Sequence, residues 1–137
     1  MLLSQTAEYA LRVVAVLAAA WPDERLRAKD LSERANLPPA YASKVARKLV
    51  VGGVVTGVRG HHGGFSLARN PAEIPISEVL DAVDFEVTDN SCAFGVGDCH
   101  PEAPCALHPA WSNLKGCFRN WAESTYLDDT TSVPTPS

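Results

Sequence analysis

Cys92, Cys99 and Cys105 fall within fourteen residues, in the run SCAFGVGDCHPEAPCALH. Thiolates are soft ligands that suit zinc, copper(I) or an iron–sulfur cluster, and several in one short segment can enclose a single centre. Gly95, Gly97, Pro101 and Pro104 punctuate the same stretch, so it reads as a loop, with neither helix nor strand running through it. Three cysteines leave a four-ligand site one short, and His108, three residues beyond Cys105, is the nearest candidate for the fourth. The competing reading pairs the four cysteines, Cys117 included, as two disulfides. Disulfide frameworks belong to exported domains. The apolar run at residues 11–21 carries Arg12, follows Glu8 and lacks a basic segment before it, unlike a secretory signal. No stretch approaches the roughly 18 apolar residues of a membrane span. The expectation is a cytoplasmic protein with no membrane partner, in which clustered cysteines hold a metal centre.

Those cysteines sit in an acidic half of the chain. The 137 residues carry a net charge of −4, but the signs are segregated. Residues 25–69 hold nine Lys or Arg against Asp30 and Glu33 alone, a balance of +7, whereas residues 70–137 sum to −9. A basic segment inside an acidic protein points to a local polyanion-binding face. A solvated helical surface would not need so lopsided a ratio.

Hydrophobic spacing gives the elements that would present this face. Ser4 can cap a helix reaching about Ala20, with Ala7, Ala10, Leu11, Val14, Leu17 and Ala18 at spacings of three and four. A second helix is expected at residues 28–35, facing inward through Leu31 and Ala35. Asn36-Leu37-Pro38 then forms a tight turn, and Pro39 suits the first turn of a third helix that reaches about Val51 and ends at Gly52-Gly53. Residues 54–59 and 65–68 read as two strands around the turn 60–64. Ser77 can cap a short helix at 78–85. From Leu107 the apolar positions Trp111, Leu114, Phe118, Trp121 and Leu127 resume at largely coiled-coil spacing, and residues 130–137 read as a disordered tail. The expected fold is mainly α: a winged helix-turn-helix with a small two-stranded wing, plus a long C-terminal dimerisation helix. Its divisions are 1–88 for the DNA-binding domain, 89–106 for the cysteine loop, 107–127 for the dimerisation helix and 128–137 for the tail.

In that fold the third helix enters the major groove of double-stranded DNA. Its solvent face is Ala40, Tyr41, Ser43, Lys44, Arg47 and Lys48. Tyr41, Ser43 and Lys44 are placed to meet base edges, and Arg47 and Lys48 to reach phosphates. Arg59 at the wing can enter a narrow minor groove. Gly60, Gly63 and Gly64 would let the wing backbone approach the duplex. His61 and His62 are either added phosphate contacts or plain turn residues.

With these residues in view the chain resembles the Rrf-type family of winged-helix transcription regulators, the group of IscR, NsrR and RirA. The resemblance covers roughly residues 1–127. It is carried by LLSQTAEYALRVVAVLA, the helix pair LSERANLPPAYASKVARKLV, the wing VRGHHGGFSLAR, the helix ISEVLDAVD and the three-cysteine loop. It implies a homodimer on a palindromic operator, with one iron–sulfur cluster per subunit whose loss or change alters DNA affinity. It implies a repressor responding to redox state, nitric oxide or iron, and no enzyme. Cys92, Cys99 and Cys105 match the cluster-ligating cysteines. His108 matches the histidine that completes a 2Fe–2S centre in IscR-like members, and Glu8 an acidic position that completes a 4Fe–4S centre from the partner subunit in NsrR-like members. Ser43 stands where IscR-like members carry Glu. Cys117 is an extra thiol, read as a small buried hydrophobe in preference to a cluster ligand in a shifted arrangement. The alternatives are a zinc-stabilised winged-helix regulator, since three Cys and one His make an ordinary structural zinc site, and a metal-free thiol-based one.

Overall fold

Helix α1 (Gln5–Ala20) begins where the Ser4 hydroxyl accepts the Ala7 N–H at 3.2 Å. The structure is a computed structural model describing residues 3–85 and 106–129. Ala7, Ala10, Val13, Val14 and Leu17 of α1 are buried, and their side of the helix packs against α2, α3, α4 and β2. The small residues at its start let neighbouring helices come close, and the larger Val and Leu residues fill the centre.

Helix α2 (Ala28–Ala35) is short, and its ends are fixed by local chemistry. The Arg27 N–H is held by the Asp30 carboxylate at 3.1 Å. Asn36 ends the helix in the left-handed conformation, φ 55° and ψ 57°, which Asn tolerates better than most residues. The turn is then locked three ways. The Leu37 N–H donates to the Ser32 carbonyl at 3.1 Å. The Ser32 hydroxyl donates to the Leu37 carbonyl at 2.6 Å, and Arg12 of α1 donates to the Asn36 carbonyl at 3.1 Å. Helix α3 (Pro39–Val51) follows with Pro39 in its first turn, and Ala42, Val45, Ala46 and Leu49 form its buried stripe. At its end a Cβ on Gly52 would lie 2.5 Å from the Ala82 Cβ, so glycine is what lets α3 meet α4 here.

Strands β1 (Val55–Val58) and β2 (Gly64–Leu67) pair antiparallel, with Val55 opposite Leu67 and Val58 opposite Gly64. Each is four residues long, and β1 is two shorter than its sequence pattern suggests. A 3-10 turn at Pro71–Glu73 leads to α4 (Ile76–Ala82). This helix starts at Ile76 after Pro75, so Ser77 lies inside its first turn and does not cap it. The core decides the start: Ile76, Val79 and Leu80 must all face inward, and the Ile76 N–H is bound by the Thr125 carbonyl at 2.8 Å.

Helix α5 (His108–Ser124) buries Ala122 alone. Leu127, expected on its apolar stripe, lies instead in a separate 3-10 turn, Leu127–Asp129. Thr125 breaks the helix in extended conformation, and the Leu127 N–H then bonds the Ile74 carbonyl at 3.0 Å. The result is a fully buried Leu127 that stitches the end of α5 to the start of α4. No helix among the described residues is long and apolar enough to cross a membrane.

Candidate nucleic-acid interface

The outer face of α3 is assembled as its sequence spacing requires. Ala40, Tyr41, Lys44 and Arg47 are exposed, and Ser43 and Lys48 are half-buried. Tyr41 is tied to the body of the protein: its ring meets the edge of the Tyr9 ring with centroids 5.4 Å apart, and the Arg12 guanidinium lies over Tyr9 at 5.4 Å. Lys48 leans back to Asp84, 3.7 Å away, with the Lys48 side chain 38% and the Asp84 side chain 87% exposed. A pair that exposed is worth at most about 1 kcal/mol, so it leaves Lys48 able to turn outward.

The wing is built from backbone constraints. Leu26 and Phe65 exchange both backbone hydrogen bonds, at 2.9 and 2.7 Å, which adds a one-residue third partner to the hairpin. A Cβ on Gly64 would sit 2.9 Å from the Leu26 carbonyl oxygen, and Gly64 has φ +136°. A Cβ on Gly63 would lie 2.4 Å from the Val58 carbonyl and 2.7 Å from that of Gly60. These two glycines therefore answer to approaches inside the wing. Gly60 differs: it has φ +94° and open space where a Cβ would stand. Arg59, Gly60, His61 and His62 are exposed at the tip, with the two imidazoles edge to face at 4.5 Å.

Between wing and α3 runs an open groove of about 540 Å³. Arg27, Arg47 and Arg59 line it, over an apolar floor that includes Val50, Val58 and Phe65, and no acidic side chain reaches it. Arg27 is the residue sequence reasoning counted only as charge. Its guanidinium donates to the Gly60 carbonyl at 2.9 Å, across 33 residues of chain, a link that no local pattern encodes. Tyr9 was overlooked for the same reason.

Cys92, Cys99 and Cys105 lie outside the described residues. The two candidates for a further ligand are placed: His108 is the first residue of α5, and Glu8 is in the first turn of α1, both half-buried. Among the described residues no three metal-ligating side chains gather. Cys117, expected to be buried, is exposed on α5 as a free thiol in the single chain. The flank that leads into the cysteines is held on both sides: Phe85 packs on Phe118 of α5 with centroids 5.9 Å apart, and Asp84 is the partner of Lys48.

A helix-turn-helix with an arginine-lined wing defines a winged-helix DNA-binding protein. Residues 3–132 match the family model of Rrf2, described as an iron-dependent transcriptional regulator. A predicted HTH-type transcriptional regulator of Aquifex aeolicus is 30% identical over 131 residues, 94% of this chain and 90% of that protein. The regulator IscR of Vibrio campbellii is 32% identical over 100 residues, 73% of this chain and 59% of IscR. The structure of CymR, the global cysteine regulator of B. subtilis, superposes with a TM-score of 0.80 at 19% identity, covering 96% of each chain. The chain belongs to the Rrf2 family. It is a DNA-binding transcriptional regulator and not an enzyme.

Proposed function

We propose that the chain is a homodimeric repressor that reads a palindromic operator and is switched through an iron–sulfur cluster. The observation that carries the DNA half is the pairing of an exposed Tyr41, Lys44 and Arg47 on α3 with an arginine-lined wing fixed beside it. Tyr41, Ser43 and Lys44 meet base edges, Arg47 and Lys48 reach phosphates, and Arg59 with Gly60 and His61 enters the adjoining minor groove. Arg59→Ala is expected to weaken operator binding by about 1–3 kcal/mol in a gel shift. Equal binding would remove the wing from the interface.

The donor set suits the cluster. Cys92, Cys99 and Cys105 supply three thiolates. His108 at the head of α5, or Glu8 of the partner subunit, supplies the fourth ligand. When bound, such a cluster provides a centre that nitric oxide, oxygen or iron shortage alters. The chain's own part is mechanical. The segment bearing the thiolates leaves α4 beside Asp84, which touches Lys48 of the recognition helix, and returns at His108, the start of the exposed helix α5. The pair with Lys48 is weak, so the firmer mechanical route runs from Phe85 through Phe118 to α5. Regulation requires the two cluster states to differ in operator affinity by a few kcal/mol.

Protein purified without air should be brown and contain iron and acid-labile sulfide in matching amounts. Destroying the cluster with nitric oxide should shift operator affinity at least tenfold. Colourless protein with one zinc per chain would assign the cysteines to a structural zinc site instead, and metal-free protein with every thiol alkylated would assign them to thiol chemistry. Equal affinity of apo and holo forms would end the switch.

A further inference from the structure

We propose that Arg27 is the positioning residue of the wing: it sets where Arg59 stands relative to the recognition helix. This rests on the reading of the wing as a DNA contact. The Arg27 Nη2 donates to the Gly60 carbonyl at 2.9 Å. That same carbonyl accepts the Gly63 N–H at 2.9 Å, the bond that closes the turn of the wing. Arg27 thus grips the closing bond of the hairpin one residue after Arg59. It does so from a fixed base: its own N–H is held by Asp30 at 3.1 Å, and the preceding Leu26 is paired through both backbone groups to Phe65.

Without this grip the tip is held by the hairpin's own bonds, the Val58–Gly64 pair and the Gly63–Gly60 turn bond. Residues 59–62 are exposed, and Gly60 has nothing within 4 Å of its Cβ direction. The pairing of Leu26 with Phe65 fixes the strands, and Arg27 is a side chain from outside the hairpin that reaches its turn. An arginine in a cationic groove suits a phosphate, but this guanidinium is directed at a backbone carbonyl of its own chain. A charge-assisted bond is stronger than a neutral one, and the fork of Arg holds a direction that a Lys ammonium does not.

A double-mutant cycle tests this on the full-length chain, with an operator fragment selected in vitro from random duplexes. Arg27→Met keeps the stem and the backbone N–H and removes the grip. It is expected to weaken binding roughly three- to tenfold, with unchanged helical circular dichroism. In an Arg59→Ala background the same substitution should cost less than twofold, because Arg27 acts through Arg59. Arg27→Lys should restore part of the loss. Hydroxyl-radical footprints of Arg27→Met should lose protection in the minor groove at the operator flanks while guanine methylation protection in the major groove persists. Additive losses in the cycle, with the salt slope falling by about one, would make Arg27 a direct phosphate contact and overturn the proposal. Arg27→Met binding as tightly as the parent would overturn it too. If Arg59→Ala itself costs nothing, the wing reading falls and takes the proposal with it, a pattern distinct from additivity.

Discussion

Leu114→Glu is expected to turn the protein into a monomer and to lower operator affinity more than a hundredfold. Leu107, Leu114 and Trp121 recur every seven residues and are 45, 48 and 42% exposed in the single chain. They form one line along α5, on a helix whose only buried residue is Ala122. Phe118 packs between Phe85, with centroids 5.9 Å apart, and the Trp121 ring, at 5.4 Å, and so joins this line to the core. A seven-residue repeat is the period of helices that pack in pairs. In a two-fold interface each substitution occurs twice, so two carboxylates would be buried where two leucines had met. Stranding each charge costs on the order of 3–5 kcal/mol, enough to dissociate a dimer at micromolar concentration. The operator loss follows because each monomer then holds one half-site without the gain of tethering. Sedimentation equilibrium checks the first part and gel shifts the second. Because Leu114 is exposed, the monomer should keep its circular dichroism. A variant that remains dimeric would place the interface elsewhere.

Gly63→Ala is expected to weaken operator binding at least tenfold with the helices intact. The added Cβ would meet the Val58 carbonyl at 2.4 Å, the Gly60 carbonyl at 2.7 Å and the Arg59 carbonyl carbon at 2.9 Å. All three are backbone atoms, so no side chain can swing aside. The chain must open the Gly63–Gly60 bond, and that displaces Arg59 together with the carbonyl that Arg27 holds. The helical core lies away from this turn, so the thermal midpoint should move little. Gly60→Ala makes the contrast: it has room for a Cβ and only the cost of a positive φ, about 1–2 kcal/mol. Gel shifts and melting curves of the two variants side by side decide the matter. Equal operator binding by Gly63→Ala and the parent would mean that the wing turn can rearrange without touching DNA.

How much of this was legible in the sequence depends on the distance over which each feature is encoded. The bounds of α2 and α3 follow from Asn36, Pro39 and Gly52, each acting within a residue or two, and both helices run as the pattern indicates. The wing was announced by its glycines, although the reason for Gly63 and Gly64 is contact with their own protein and not with a ligand. Where a local signal competed with the core, the core prevailed: burial of Ile76 overrode the capping tendency of Ser77, and burial of Leu127 overrode the helical repeat of α5. Arg27 and Gly60, or Tyr9 and Tyr41, are 33 and 32 residues apart. Nothing in their neighbourhoods marks one for the other, so only the folded chain reveals these pairs. Cys92, Cys99 and Cys105 are legible in the sequence as a candidate donor set, through residue types and spacing, and lie outside the described residues.

The ring contact between Tyr9 and Tyr41 carries a lesson for anyone redirecting this regulator to a new promoter. Tyr41 stands in the first turn of α3, at the end proposed to read bases, and also leans on α1, so altering it is expected to change two properties at once. Lys44 and Arg47 are exposed on the same helix, and Ser43 is small. Libraries that vary 43, 44 and 47 while sparing 41 should yield well-folded proteins with altered promoter preference. Those that randomise 41 should lose members to instability before selection for binding begins.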